Sequence, residues 1–351
     1  MGLLLGALLL PLALQQLGNA PVRIADQALL YVLLALGMNV VVGYAGLLDL
    51  GYVAFYAIGA YLFALLCSPH LFEQFALIRQ LFPGGLHTAW WLVLPLAACL
   101  AALLGVLLGA PTLKLRGDYL AVVTLAFGEI IRLFINNLAH PVNLTNGARG
   151  ISQIDDVQLL GTNLGKGLST AGMQLPSVTL YYYLFLALVL IALLVSCRLE
   201  RSRIGRAWMA IREDETAALA MGINTRNLKL AAFGMGASFG GVAGAMFASF
   251  QGYISPESFS LNESILIVAM VVLGGIGHLP GVVVGALLLS ALPEALRYLT
   301  GPLQTLSDGR LDAPILRQLL IALAMIGVML LRPAGLWPLR SRGKAAPQAL
   351  R

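Results

Sequence analysis

Long, continuous runs of apolar residues dominate the chain, and most of them are long enough to cross a lipid bilayer. The run from Tyr181 to Cys197 contains no charged side chain, and each of its leucine, valine, isoleucine and phenylalanine residues favours insertion by about 0.3–0.6 kcal/mol. A backbone in hydrocarbon must satisfy its own hydrogen bonds, so only helices and closed barrels span membranes, and continuous runs select helices. The sequence therefore predicts an all-α, polytopic helical membrane protein.

Further runs predict about eight to ten transmembrane or re-entrant helices in all. They lie at approximately 2–17, 28–47, 50–67, 91–110, 119–138, 181–197, 229–250, 264–276, 281–297 and 315–331. Only 11% of the 351 residues are charged, against about a quarter in soluble proteins. The runs 264–276 and 281–297 could be half-helices, since only Gly277 to Pro280 separates them. The first run is either a retained anchor, which we expect, or a cleaved signal.

Basic residues cluster in three places and predict the orientation. Lys114 and Arg116 fill one connection, seven basic residues fall within 198–229, and the tail carries Arg332, Arg340, Arg342, Lys344 and Arg351. The positive-inside rule makes all three cytoplasmic, and an even number of runs separates them, so both termini are predicted to be cytoplasmic. We expect one transmembrane domain over 1–337 and a basic tail over 338–351. The stretch 139–180 lies on the other side and, rich in glycine and asparagine, is predicted to be a loop.

Several kinds of chemistry are excluded or disfavoured. No lysine precedes a serine or threonine, so the phosphate-binding loop of ATPases is absent and the chain cannot hydrolyse ATP by that means. The three cysteines lie in apolar runs without metal-ligand spacing, and we expect no metal, no cofactor and no nucleic-acid partner. An intramembrane enzyme is disfavoured, because neither a metalloprotease helix motif nor a serine nucleophile elbow is present.

Two features inside the apolar runs could belong to a pathway. Glu129 and Arg132 lie near the middle of the run 119–138, where each charge costs about 2.5–3.5 kcal/mol; they could form a structural ion pair or line the pathway. Glycines and one aspartate interrupt two runs at Gly43, Gly46, Asp49 and Gly51. This pattern is typical of a broken helix beside a cavity, although simple close packing explains it equally well.

The segment 204–222 is predicted to form one amphipathic cytoplasmic helix. Steps of three and four residues place an apolar stripe on one face, with glycine as the terminal cap; its members are Ile204, Trp208, Ile211, Glu215, Ala218, Leu219 and Gly222. Such a helix lies on the membrane surface or docks a soluble partner. Glu215 favours docking, because a carboxylate on the stripe gains nothing from lipid.

The residues of this segment resemble a known family. The stretch ETAALAMG (215–222) resembles the loop by which ABC importer permeases contact their ATPase subunits. Together with IGRAWMAIREDE (204–215), GYAGLLDLG (43–51), LRGDYLAVVTLAFGEIIR (115–132), SPESF (255–259), VVLGGIGHLPGVVVGA (271–286) and LRPAGL (331–336), it resembles the LivM-type permeases of branched-chain amino acid importers. The matches are collinear over about residues 30–337.

The resemblance implies a permease subunit in a bacterial inner membrane, carrying leucine, isoleucine or valine. The implied partners are a second permease subunit, two ATP-binding subunits, a periplasmic substrate-binding protein and membrane lipid. It places the ATPase contact at Arg206, Trp208, Arg212, Glu215, Ala218 and Gly222. It places the translocation pathway at Gly43, Gly46, Asp49, Gly51, Glu129, Arg132, Gly274, Gly275 and Gly277. Two alternatives remain: a permease for urea or short amides, and a proton-coupled secondary transporter with Glu129 or Asp49 as proton carrier.

Overall fold

The computed structural model describes residues 2–16, 18–81, 86–112, 115, 117–140, 142–159, 162–170, 173–306, 319, 322, 323, 326, 327, 330–332 and 335–337. Most of them are helical. The helices are α1 (Gly2–Gln15), α2 (Asn19–Met38), α3 (Val53–Leu66), α4 (His70–Gln74), α5 (Ala76–Leu81), α6 (Trp90–Thr112), α7 (Asp118–Asn137), α8 (Ser177–Arg201), α9 (Arg203–Glu213), α10 (Glu215–Ala220), α11 (Thr225–Gln251), α12 (Leu261–Gly274) and α13 (Leu279–Leu306). The π-helical turn Asn39–Tyr44 continues α2 directly.

The predicted fold class is confirmed. In the described part of the chain, five helices are long and apolar enough to cross a membrane: Asn19–Tyr44, Trp90–Thr112, Ser177–Arg201, Thr225–Gln251 and Leu279–Leu296. Most of the predicted run 315–331, the basic pair Lys114 and Arg116, and the tail 338–351 lie outside the described residues.

Among the described residues, three apolar helices, α1, α3 and α12, are too short to cross a bilayer alone. Helices α3 and α12 have 14 residues each, or about 21 Å at 1.5 Å per residue, against about 30 Å of hydrocarbon. Each follows an irregular segment, 45–52 before α3 and 252–260 before α12. The predicted run 264–276 therefore corresponds to a short helix, α12. The predicted run 281–297 lies within α13, which has 28 residues and is not a half-helix.

Helix α11 lies at the centre, against α6, α3 and α2. Glycines on both α3 and α11 allow this packing. A side chain on Gly59 of α3 would run into the backbone of Gly241 of α11. One on Gly244 would meet the carbonyl of Tyr56. Small residues let helix backbones approach closely where no hydrophobic force drives association in lipid. The glycine-rich stretch of α11 is thus explained by packing.

The connections cluster at two ends of the bundle. At one end, which we call the hairpin end, β1 (Ile151–Ser152) pairs with β6 (Tyr253–Ile254), and the Asp155 N–H donates to the Cys67 carbonyl. Two hairpins complete it: β2 (Gln158–Leu159) with β3 (Thr162–Asn163), and β4 (Leu168–Thr170) with β5 (Met173–Leu175). The other end, which we call the arginine-rich end, holds α9, α10, residues 39–48 and the turn 275–278.

Two predictions about the connections are wrong in part. The stretch 139–180 contains short strands, which are too brief for a periodic signal, and β1 pairs with a strand about 100 residues away. The single helix predicted over 204–222 is two helices, because Asp214 interrupts it with extended backbone (φ −154°, ψ 110°). The apolar spacing continues across this break and conceals it.

Candidate functional site

Helices α9 and α10 are fixed to the start of α11 by two polar contacts. Trp208 is fully buried, and its indole Nε1–H donates to the Leu228 carbonyl at 2.7 Å. Lys229 Nζ lies 2.6 Å from Glu215 Oε1, with 11% of the lysine side chain exposed. Ala218 is buried beside them. Glu215 is thus paired within the chain, so its position on the apolar stripe no longer favours docking of a soluble partner by itself.

Asp214 ends α9 and caps α10. Its Oδ1 accepts hydrogen bonds from the Thr216 hydroxyl at 2.5 Å and from the N–H groups of Thr216 and Ala217 at 2.8 and 3.1 Å. An aspartate at this position satisfies N–H groups that have no partner within the helix. These hydrogen bonds, that of the Thr216 hydroxyl first, hold the pKa of Asp214 below its ordinary value of 3.8.

The side of α9 and α10 away from the bundle is exposed. Arg206 contacts only a neighbouring turn in the described structure, where its Nη1 donates to the Arg201 carbonyl at 3.1 Å. Leu219 is 51% exposed and Met221 82% exposed. Gly222 ends α10 with φ +80°, and no atom lies within 4 Å of where its Cβ would be. Apolar side chains thus face outward around this terminus.

Arg212 joins these two helices to the segment that we call the interrupted helix. This segment consists of α2 with its π-helical turn, the break at 45–52, and α3. Arg212 Nη1 donates to the Gly43 carbonyl at 2.5 Å, at the end of the π-helical turn. Gly46 follows with φ +69°, and its Cβ position lies 2.9 Å from Arg212 Cγ. The segments enclose a cavity of about 310 Å³, lined in part by Gly46, Asp118, Arg212, Glu215 and Lys229. The predicted ATPase-contact and pathway residues therefore meet at Arg212.

The segment 45–52 forms a break between two helices. Asp49 is 1% exposed, and its Oδ1 accepts the Gly51 N–H at 2.9 Å. The Leu50 N–H donates to the Thr124 hydroxyl of α7 at 3.0 Å. A side chain on Gly51 would run into the Thr124 carbonyl, so the segment packs directly on α7.

The second glycine cluster lies against the first. The Gly277 N–H donates to Asn39 Oδ1 at 2.9 Å, and the Cβ position of Gly43 is 2.9 Å from Gly277 N. Gly275 and Gly277 have φ of +116° and +84°, which allows the tight turn between α12 and α13. Gly274 packs on Gly281 of α13. The structure thus brings Gly43 and Gly277 together.

Glu129 and Arg132 form the predicted ion pair. Arg132 Nη2 lies 2.8 Å from Glu129 Oε2, and 35% of the arginine side chain and 32% of the glutamate side chain are exposed. Much of α7 is exposed as well, including Val122, Ile130 and Phe134. The pair lies away from the Gly43–Gly277 contact, although the neighbouring Gly128 packs on Gly51.

A cavity near the hairpin end was not predicted. It has a volume of about 210 Å³ and is lined by Gln27, Leu30, Tyr31, Leu34, Tyr56, Phe247, Gln251, Ser258 and Glu263. The apolar run predicted over 264–276 leaves out Glu263, whereas α12 begins at Leu261 and includes it. A carboxylate within an apolar helix was the signal that could have identified it.

Comparison with known proteins identifies the family. The model of the branched-chain amino acid transport system permease component matches residues 20–329. The chain is 42% identical to the high-affinity branched-chain amino acid transport permease LivM of Escherichia coli K12, over 91% of this chain and 70% of that protein. It is 28% identical to the corresponding permease LivH of the same strain, over 76% of this chain and 81% of that protein.

A third similar protein is a probable branched-chain amino acid transport permease LivM of Methanocaldococcus jannaschii, 25% identical over 88% of this chain and 90% of that protein. No solved structure matches the chain significantly. The family match covers more than half of the chain, and its range includes both segments that meet at Arg212. The chain belongs to the family of permease components of branched-chain amino acid transport systems.

Proposed function

We propose that this chain is one permease subunit of an ATP-driven importer that carries leucine, isoleucine or valine across a bacterial inner membrane. Its partners are a second, related permease subunit, two ATP-binding subunits and a periplasmic substrate-binding protein. The similarity to both LivM and LivH, two permeases of similarly named systems, supports a pair of homologous subunits. The observation that carries the mechanism is the contact of Arg212 with the Gly43 carbonyl.

The ATPase contact is assigned to α9 and α10. Without a phosphate-binding loop the energy must come from another subunit, and the exposed apolar side chains Leu219 and Met221 offer it a surface. Trp208 and the Glu215–Lys229 pair anchor the two helices on α11. Movement imposed on α9 and α10 is therefore passed into the bundle.

The movement reaches the pathway through the break in the helices. Arg212 holds the Gly43 carbonyl, and beyond it the segment 45–52 contacts α7 and α12 through Thr124 and Ser264. A chain of contacts couples two sites only where an element has two arrangements that both sites bias. The interrupted helix is that element in this proposal, and the glycines at 43, 46, 51, 274, 275 and 277 shape it.

Glu129 and Arg132 line the pathway on the side of the second permease. The pair is only partly covered, on a helix with many exposed apolar residues. A charged pair facing lipid is costly, whereas a protein partner or a water-filled path accommodates it. The second permease is therefore placed against α7.

The arginine-rich end is cytoplasmic and the hairpin end periplasmic. The basic residues of 198–229 support this orientation through the positive-inside rule. The permease domain covers 1–337, with the cytoplasmic coupling segment at 198–229, the periplasmic loop at 139–180 and a basic cytoplasmic tail at 338–351. The binding protein docks at the hairpin end.

Reconstitution of the full transporter into proteoliposomes tests this function. We expect leucine uptake that requires internal ATP and external binding protein and that is insensitive to an uncoupler. Uptake that survives without ATP and collapses with the uncoupler would establish the secondary transporter instead. Uptake of urea or short amides, without leucine uptake, would show that the substrate is wrong.

A further inference from the structure

The cavity near the hairpin end has the shape of a small, one-sided binding site. One face of α2 lines it, passing from exposed Gln27 through partly buried Tyr31 to Leu34, which is 1% exposed. The cavity therefore opens toward the hairpin end and closes over two helical turns. Its volume of about 210 Å³ is below the roughly 300–1,000 Å³ of sites for drug-sized ligands, and thus suits a small solute.

A carboxylate that forms no ion pair within the described part of the chain lies in this cavity. Tyr31 donates its hydroxyl hydrogen to Glu263 Oε2 at 2.9 Å, which leaves further acceptor positions on the carboxylate. In the described part of the chain, Glu263 belongs to none of the ion pairs. A carboxylate inside a membrane protein is costly and is normally paired. The free positions of Glu263 therefore suit a cation that arrives from outside.

The rest of the wall fits the other parts of an amino acid. Leu30, Leu34 and Phe247 supply apolar surface for an aliphatic side chain. At the opening, Arg23 Nη2 donates to Gln251 Oε1 at 2.7 Å, so that the amide N–H groups of Gln251 remain for a carboxylate. Arg23 adds positive charge at this edge. The cavity therefore offers a negative inner wall and a hydrogen-bond-donating, positive rim.

The cavity is also joined to the interrupted helix. Ser264, the residue after Glu263, is fully buried, and its hydroxyl donates to the Leu50 carbonyl at 2.6 Å. Leu50 lies in the same break that Arg212 contacts at its other end. Movement of the break therefore displaces the cavity wall beside Glu263.

We propose that this cavity is a transient binding site for the transported amino acid within the permease, with Glu263 accepting the α-ammonium group. The assignment rests on the proposed function, because it takes a zwitterionic aliphatic amino acid as the substrate. A binding site in this cavity would let the permease itself select the substrate, in addition to the selection made by the binding protein. A neutral amide such as urea has no ammonium group and would not require Glu263.

Protection of an engineered cysteine tests the proposal in the reconstituted transporter. Ser258→Cys places a thiol on the cavity wall, and its reaction with a membrane-impermeant thiol reagent is followed by mass spectrometry at that site. We expect leucine to slow this reaction. Adding Glu263→Gln should raise the leucine concentration for half protection at least about tenfold, the factor that about 1.4 kcal/mol of binding energy gives. The labelling rate without leucine should stay the same if the fold is intact.

Glu257→Gln is the matched control, because Glu257 precedes α12 by four residues and is exposed. It should leave protection by leucine unchanged. Leucine uptake without protection of residue 258, or protection that survives Glu263→Gln, would overturn the cavity proposal and leave the transport function standing. Absence of leucine uptake from the parent transporter would instead overturn the proposed function. Should Glu263→Gln alter the basal labelling rate, Glu263→Asp, which keeps the charge, must restore protection, and its failure would count against the site.

Discussion

At the scale of single residues, the Glu215–Lys229 pair decides how firmly α9 and α10 hold to the bundle. The lysine side chain is only 11% exposed, so removing its partner leaves a mostly buried ammonium group. Hydrogen bonds to charged groups contribute about 1.5–3 kcal/mol. Glu215→Gln should therefore lower the unfolding free energy by about 1–3 kcal/mol, measured by thermal unfolding in detergent.

The neighbouring Glu213 provides the control for this change. It is exposed at the end of α9, so Glu213→Gln should leave the unfolding temperature close to that of the parent. The exchanged pair, Glu215→Lys with Lys229→Glu, should recover most of the lost stability. Equal unfolding temperatures for Glu215→Gln and Glu213→Gln would show that the Glu215–Lys229 pair does not anchor these helices.

At the scale of elements, α10 depends on its two ends. At its start, Asp214→Ala removes the acceptor for three hydrogen bonds, whereas Asp214→Ser keeps a cap. We expect faster hydrogen exchange at Thr216 and Ala217 in the alanine variant only. Unchanged exchange in Asp214→Ala would mean that tertiary packing alone orders α10.

The same cap has a defined pH dependence. Because the pKa of Asp214 is lowered in the folded chain, its contribution is fully present above the ordinary carboxyl pKa and is lost as the pH falls through the lowered value. Protection of α10, corrected for the intrinsic pH dependence of exchange, should hold at neutral pH and decline only in acid. A decline already near neutral pH would contradict this account.

At its far end, α10 is followed by Gly222 in a left-handed backbone conformation. A φ of +80° is strained for β-branched residues and tolerated by asparagine. Gly222→Val should greatly reduce leucine uptake while the chain still inserts into the membrane, and Gly222→Asn should retain uptake. Leucine uptake by the two variants is compared at equal expression. Normal uptake by Gly222→Val would contradict the assignment of this turn to the ATPase contact.

These elements also mark how far the sequence predicts the fold. Apolar runs located the long helices, because a span is recognised from its own composition. They misplaced starts that contain charge: α2 begins at Asn19 and includes Arg23, and α12 includes Glu263. The break at Asp214 was missed because helical spacing continues across it. The i, i+3 pair of Glu129 and Arg132 was predictable from one helix alone, whereas contacts such as Arg212 with Gly43 join residues 169 apart and leave no local signal.

At the scale of the whole molecule, orientation gives an independent prediction. His87 at the hairpin end has 55% of its side chain exposed, and Arg203 at the arginine-rich end is exposed as well. A cysteine replacing His87 should react with an impermeant thiol reagent in cells with a permeabilised outer membrane. One replacing Arg203 should react only after the inner membrane is opened. The reverse pattern would invert the assignment of the binding-protein and ATPase faces.

The two ends also define the central claim, which is that energy enters at α9 and α10 and reaches the interrupted helix through Arg212. Lysine carries the same charge but lacks the planar guanidinium that reaches the Gly43 carbonyl. Arg212→Lys should therefore couple less well than the parent, and Arg212→Ala should be worst. Arg203→Ala, on the same helix but without a contact to the break among the described residues, serves as the control.

The most direct measurement is the amount of leucine imported per ATP hydrolysed in proteoliposomes that contain the complete transporter. The account predicts that Arg212→Ala lowers this ratio at least about fivefold, the lower bound of typical coupling between sites, while ATP hydrolysis continues and Arg203→Ala matches the parent. An unchanged ratio in Arg212→Ala would contradict the claim that this contact carries the coupling.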